Sequence, residues 1–172
     1  MITIREATKE DLPAMLEIYN DIIVNTTAVY DYQPHTLEMR QQWFATKREQ
    51  DLPVYVAEEN GTIYGFSTIG PFRNWAAYKY SVENSIYVAT SARGKGIGKL
   101  LFPPIIKAAV ERNMHTIVAG IDATNESSIK LHERFGFVEV AHFKQVGYKF
   151  GKWLDLKFFQ LLLNTPEKPE EN

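Results

Sequence analysis

With 172 residues, 45% of them apolar and 13% aromatic, the chain can bury a substantial core as one domain without cross-links. A formal net charge of −2, with Lys and Arg spread along the sequence, excludes a general nucleic-acid surface. The absence of cysteine removes disulfides, thiolate metal sites and any acyl-cysteine intermediate, and suits a cytoplasmic protein. No run reaches the roughly 18 to 20 apolar residues that span a bilayer, and the start MITIREATKE has no apolar leader core.

In chain order, ITIREA alternates like a short strand. Leu12, Met15, Leu16, Tyr19, Ile22 and Ile23 then recur at helical spacing over 11–24, with Thr8 or Asp11 available as cap. After the loop NTTAVYDYQPH, Leu37, Arg40, Trp43, Phe44 and Lys47 predict a second amphipathic helix to about residue 50. PVYVAEENGTIYGFSTIG reads as two strands around Asn60-Gly61, a dipeptide that supplies the positive φ angles of a tight hairpin. The loop PFRNWAAYK leads to a third strand, YSVENSIYVA. Next come a helix over about 96–113, a buried-type strand TIVAGIDA, a helix over about 125–135, and strands FVEVAHFKQV and WLDLKFFQLLL. Pro103-Pro104 falls inside the third helix and predicts a kink. The domain spans 1–163, and the Pro/Glu-rich end, 164–172, is expected to be flexible.

The segment ARGKGIGKLL, 92–101, opens the third helix with three glycines, each weakening a helix by about 1 kcal/mol relative to alanine. Two phosphate motifs fail on spacing. Arg93 stands where GxxxxGK[ST] needs its first glycine and Leu100 where it needs a hydroxyl; Lys99 or Leu101 stands where GxGxxG needs its third glycine. The match is [Q/R]xxGxG, as Arg93, Gly96 and Gly98. Such a segment leaves the first amides of a helix unpaired and uncovered, aimed at a pyrophosphate on the positive end of the helix dipole, with Arg93, Lys95 and Lys99 adding charge. A plain glycine-rich turn between strand and helix is the alternative.

With NESSIKLHERFGF at 125–137, the order strand, [Q/R]xxGxG, helix, strand, Asn-x-x-(Ser/Ala), helix, Gly-Phe resembles the GNAT acetyltransferase superfamily over about 1–162. SVENSIYV, LHERFGF and VGYKFGKWLDL resemble, more narrowly, its phosphinothricin and methionine sulfoximine N-acetyltransferase group. The resemblance implies an α/β fold of α+β type: a mixed, mostly antiparallel sheet of about seven strands with a splayed parallel pair, flanked by about four helices. It implies acetyl-CoA as co-substrate and no metal. The pyrophosphate would lie on Arg93, Gly94, Lys95, Gly96, Ile97, Gly98 and Lys99, and the pantetheine arm along Ile86, Tyr87 and Val88, with the Val88 N–H polarising the thioester carbonyl. Asn125 would bind the arm as well; read by itself it is equally a helix N-cap.

An attacking amine must lose a proton, and the resemblance makes Glu83 the base; by strand alternation alone it is an outward-facing carboxylate. His132 stands where many GNAT proteins have a tyrosine that protonates the departing thiolate, although a lone helical histidine also serves structure. Tyr80, Tyr87 and Tyr148 are possible substitutes. Arg73, Asn74 and Trp75, together with Glu83, Asn84 and Ser85 and more weakly Tyr30, would form the acceptor pocket, Arg73 gripping an anionic group; otherwise Arg73 and Trp75 are an ordinary loop pair. The expected reaction is direct acetylation of the α-amine of a small amino acid such as phosphinothricin, methionine sulfoximine or methionine sulfone. Another amine acceptor, or a CoA-binding sensor without catalysis, are the alternatives. A homodimer is expected, partly from the resemblance and partly from the apolar loop and the strand KFFQLLL, with neither nucleic acid nor membrane as partner.

Overall fold

A computed structural model describes residues 1–171. Seven strands and four α-helices alternate as β1 (Thr3–Glu6), α1 (Leu12–Asn25), α2 (Leu37–Glu49), β2 (Val54–Glu59), β3 (Thr62–Pro71), β4 (Ser81–Val88), α3 (Ile97–Glu111), β5 (Thr116–Asp122), α4 (Glu126–Arg134), β6 (Val138–Lys149) and β7 (Lys152–Leu162). The strands form one sheet in the order β1-β2-β3-β4-β5-β7-β6. Only the β4–β5 pairing is parallel among the registers that follow, the others being antiparallel. This is the mixed, mostly antiparallel architecture expected from the sequence. The chain forms two compact units, Met1–Thr68 with Ile86–Pro103, and Ile69–Ser85 with the chain from Pro104 onward.

In the first unit the helix periodicity is realised as packing. Leu12, Met15, Ile18 and Ile22 of α1 and Phe44 of α2 bury against Val54 and Val56 of β2 and Ile63 and Phe66 of β3. Each such side chain contributes about 1.5–3 kcal/mol of hydrophobic burial. Ala57, Ala92, Ile97 and Leu101 form a further buried cluster, joined by Ile86 and Val88. Thr36 caps α2 by accepting the Met39 N–H at 3.2 Å. Asn60 (φ 53°) and Gly61 (φ 79°) turn the β2–β3 hairpin as their dipeptide predicts. One cation is buried here: the Arg40 guanidinium lies 4.1 Å above the Tyr19 ring and 4.7 Å from that of Trp43.

In the second unit β5 is buried at every position but Gly120, as its unbroken apolar run predicts. β7 pairs on one side with β5, from Thr116↔Leu162 to Asp122↔Leu156, and on the other with β6. The final strand is therefore interior, and KFFQLLL is mostly half-buried. Exposed apolar side chains lie on β6 and its turn, at Val138, Val140, Phe143, Val146, Tyr148 and Phe150, and on β7 at Trp153 and Leu162. Past Leu163, Thr165 and Glu170 make hydrogen bonds to the rest of this unit. His115 Nδ1 meets Thr165 O at 3.0 Å, and the Tyr80 hydroxyl bridges the N–H and C=O of Glu170, both at 2.9 Å. Helix α3 continues through Pro103 and Pro104. The Ser67 hydroxyl, in the first unit, donates to Leu101 O in the turn before them at 3.0 Å.

Candidate active site

The glycine segment belongs to the first unit and has the form its spacing predicts. Gly94 (φ 76°) and Gly96 (φ 82°) take left-handed backbone where a Cβ would meet no atom within 4 Å, so these glycines are required by conformation rather than by crowding. The loop's own bonds are few: Lys95 N–H to Ala92 O at 3.4 Å, and the Lys99 and Leu100 N–H groups to Gly96 O at 3.0 and 3.3 Å. The N–H groups of Gly94, Gly96, Ile97 and Gly98 have no protein acceptor among the described residues. Arg93, Lys95 and Lys99 are exposed around them, and Ile97 is buried, pinning the start of the 15-residue α3. A phosphate group fits this arrangement: open amides, a helix dipole and exposed cations.

The second half of β4 lies in the same unit. Ala89 N–H donates to Tyr64 O of β3 at 2.9 Å. Successive amides in a strand point to opposite edges, so those of Val88 and Ile86 point away from β3. Gly65 of β3 allows this closeness, since a Cβ there would sit 2.6 Å from Tyr87 O. The Tyr87 ring packs edge-on to Tyr19 at 5.2 Å and against Phe66 at 5.1 Å.

In the second unit, β4 and β5 pair through only three residues, Ser81↔Thr116, Val82↔Ile117 and Glu83↔Val118, although both strands run on. Glu83 is half-buried at the end of this register. Burial pushes its carboxyl above the usual range, opposed by the Arg73 charge and by the Gly120 N–H. Gly120 makes room for it: a Cβ there would be 3.3 Å from Glu83 Oε1 and 3.4 Å from the Phe158 ring. Sequence reasoning passed over Gly120, although a lone glycine inside an apolar strand signals close approach. Phe72, Arg73, Asn74 and Trp75 line a depression of about 450 Å³. The Arg73 guanidinium stacks on Phe72 at 4.4 Å and spends one donor on Phe72 O, leaving the others for a ligand, while Trp75 is 74% exposed.

Asn84 and His132 meet in the same unit. His132 Nδ1 lies 2.8 Å from Ser128 O, and its Nε2 lies 3.0 Å from the Asn84 side-chain nitrogen. A carbonyl only accepts, so the ring proton is on Nδ1 and Nε2 accepts from Asn84. Burial holds the His132 pKa below its ordinary value, keeping the ring neutral. Asn125 caps α4 by accepting the Ser128 N–H at 3.2 Å, which leaves its amide nitrogen without a protein acceptor among the described residues. Gly136 (φ 88°) then ends the helix. Ser85 is half-buried on β4, and Tyr30 is 39% exposed in the α1–α2 loop of the first unit. Of the other tyrosines, Tyr80 is engaged by Glu170, and Tyr148 lies on β6 against Trp153 at 5.1 Å. Among the described residues no group of three or more His, Cys, Asp or Glu gathers as for a metal ion, and no helix is long and apolar enough to cross a membrane.

Known proteins resemble this chain in sequence and fold. The family model "Acetyltransferase (GNAT) domain" matches residues 4–157. An L-methionine sulfoximine/L-methionine sulfone acetyltransferase of Salmonella typhimurium is 39% identical, over 98% of this chain and 99% of its own. A phosphinothricin N-acetyltransferase of Streptomyces coelicolor is 36% identical, over 92% and 95%. A solved structure of a putative acetyltransferase from Salmonella typhimurium with its cofactor acetyl-CoA superposes with TM-score 0.95 at 39% identity, covering 98% of each chain. The glycine segment, the sheet order and these likenesses agree: the chain is a member of the GNAT acetyltransferase family.

Proposed function

We propose that the protein transfers an acetyl group from acetyl-CoA to the α-amine of a small amino acid, with methionine sulfoximine, methionine sulfone and phosphinothricin as preferred acceptors. The observation that carries this reading is the run of open amides at Gly94, Gly96, Ile97 and Gly98, a cradle for the cofactor's pyrophosphate flanked by Arg93, Lys95 and Lys99. Acetyl-CoA supplies the acetyl group as a thioester. The N–H groups of Ile86 and Val88, turned from β3, are available to its arm and to the thioester carbonyl, and the Asn125 amide nitrogen to the arm. One such donor on a developing oxyanion is worth about 3–4 kcal/mol.

Glu83 is the base. An α-ammonium group is mostly protonated near neutral pH, and a carboxylate raised by burial accepts its proton more readily than an exposed one. Arg73 takes the acceptor's carboxylate or its phosphorus or sulfur head group, with Asn74, Trp75 and Ser85 shaping the pocket. With cysteine absent from the whole chain, transfer is by direct attack of the amine. The departing CoA thiolate takes up the second proton, which the nitrogen sheds as the tetrahedral adduct collapses to the amide.

The protein acts in the cytoplasm and as a homodimer. The exposed apolar side chains of β6 and the turn after it, from Val138 to Phe150, support pairing with a second copy. Turnover of phosphinothricin would confer herbicide resistance. The test is release of CoA with methionine sulfoximine, phosphinothricin, glutamate and a polyamine side by side. Turnover of the first two above the others is expected; turnover of the polyamine alone overturns the acceptor class. Light scattering should give twice the chain mass, falling to one when Val140 and Val146 are changed to Asp.

A further inference from the structure

We propose that His132 is a positioning residue: it holds the Asn84 side-chain amide so that the amide oxygen is presented to an N–H of the acetyl-CoA arm, making Asn84 a cofactor-binding residue rather than part of the acceptor pocket. The inference rests on the acetyl-CoA reading above and deepens it.

The first ground is an orphan atom. Asn84 is 7% exposed, and its Oδ1 is buried without a hydrogen-bond partner. A buried acceptor left unmatched is costly, so such an atom marks a place where a donor is supplied from outside the protein. The second ground is the fixed orientation of the amide. Ser128 O takes the His132 Nδ1 proton, the Nε2 lone pair takes an Asn84 N–H, and flipping the amide would set two acceptors against each other. The ring thus dictates which end of Asn84 is offered. It holds no proton on Nε2 to give to a thiolate.

The third ground is which face of the strand is involved. Glu83 and Asn84 are consecutive in β4, so their side chains leave opposite faces. Glu83 lies against Gly120, whereas Asn84 reaches α4. The amine that Glu83 deprotonates is therefore on the other face from Asn84 Oδ1. Asn84 is also the first β4 residue past the last pair with β5, Glu83↔Val118, and it precedes Ile86, whose amide edge is available to the cofactor arm. The arm carries two uncharged amide N–H groups, a natural match for an uncharged amide oxygen, while an ammonium is matched by the Glu83 carboxylate.

Calorimetric titration of CoA into the wild type, Asn84→Ala, His132→Phe, His132→Gln and the Asn84→Ala/His132→Phe double variant tests this, with thermal melts as a check on folding. Asn84→Ala and His132→Phe should each weaken CoA by about five- to tenfold, and the double variant no further. His132→Gln should retain affinity, because its amide oxygen accepts the same N–H. The KM for the acceptor should stay unchanged in all of them. Nitrogen-15 spectra of the wild type should show a neutral His132 with its proton on Nδ1, a readout that needs no variant. Unchanged CoA affinity in Asn84→Ala, additive losses, or a proton on Nε2 overturns the inference alone. A wild type that does not bind CoA overturns the acetyl-CoA reading with it.

Discussion

The glycine loop of the first unit and the Glu83 cradle of the second both depend on glycine, for opposite reasons. At Gly94 and Gly96 an added Cβ would meet open space, and what excludes other residues is the positive φ. At Gly120 the backbone φ lies outside the left-handed range, and what an added Cβ would press on is the Glu83 carboxylate, 3.3 Å from it. The first arrangement exposes backbone polar atoms by removing Cβ atoms from them. The second shelters one side-chain polar atom by moving a strand against it, which desolvates the carboxylate and raises its pKa. A backbone anion site is thus a matter of local conformation, and a tuned side chain is a matter of what packs beside it.

The largest expected effect lies in the cradle. Glu83→Gln removes the proposed base and should lower kcat by about 10²- to 10⁴-fold, with CoA affinity unchanged, as single-turnover kinetics and calorimetry would show. The wild-type profile of kcat/KM should lose activity as pH falls through the Glu83 pKa, since only the ionised form accepts a proton. That limb should stand above the usual carboxylate range because burial raises the pKa. Arg73→Gln removes the charge that opposes burial, so the limb should move to still higher pH. An Arg73→Gln limb at or below the wild-type one would show that the Arg73 charge does not reach Glu83.

Crowded glycines should fail by crowding. Gly65→Ala would put a Cβ 2.6 Å from Tyr87 O, and because the near atom is backbone, β3 or β4 must shift. A loss of about 1–3 kcal/mol in denaturant unfolding is expected, together with weaker CoA binding, since β4 carries Ile86 and Val88. Gly120→Ala meets the end of a carboxylate instead, which can swing by a few tenths of an ångström. Stability should change little, while kcat falls about tenfold through displacement of the proposed base. Loss of stability with kcat intact would mean that the contact is structural.

How legible each region was follows from the same difference. The amide cradle could be read because one stretch, Arg93 to Lys99, contains every atom of it, and only glycine at a fixed spacing provides it. The four helices and the Asn60-Gly61 hairpin were legible for the same reason, their signals lying within a few residues of where they act. The Asn84–His132 pair joins residues 48 apart, and the Glu83–Gly120 contact depends on a parallel register, Glu83↔Val118, that no local pattern specifies. The strand KFFQLLL reads as apolar surface because its local sequence does not show which strands flank it. It lies between β5 and β6, so most of it is half-buried, and exposed apolar side chains are found on β6 as well as at Trp153 and Leu162 of β7. The polar end after Leu163 reads as flexible because composition reports apolar burial and is blind to single hydrogen bonds such as those of Thr165 with His115 and Glu170 with Tyr80.

The smallest effect is the sharpest test of the comparison, because it separates φ from space at one position. Gly96→Ala adds a methyl group to open surroundings, so its only cost is the left-handed backbone, about 1–2 kcal/mol. Relieving that strain rotates the loop amides away from their common focus, and CoA affinity should fall roughly tenfold at most. Asparagine is larger but tolerates left-handed φ, so Gly96→Asn should be milder than Gly96→Ala in both CoA affinity and unfolding midpoint, a few tenths to about 1 kcal/mol apart. At Gly120 the order should reverse: no larger residue relieves the approach to Glu83, and Gly120→Asn should be worse than Gly120→Ala. If asparagine were the worse substitution at both positions, the loop would be crowded rather than conformationally constrained, and its amides would not be open to a phosphate.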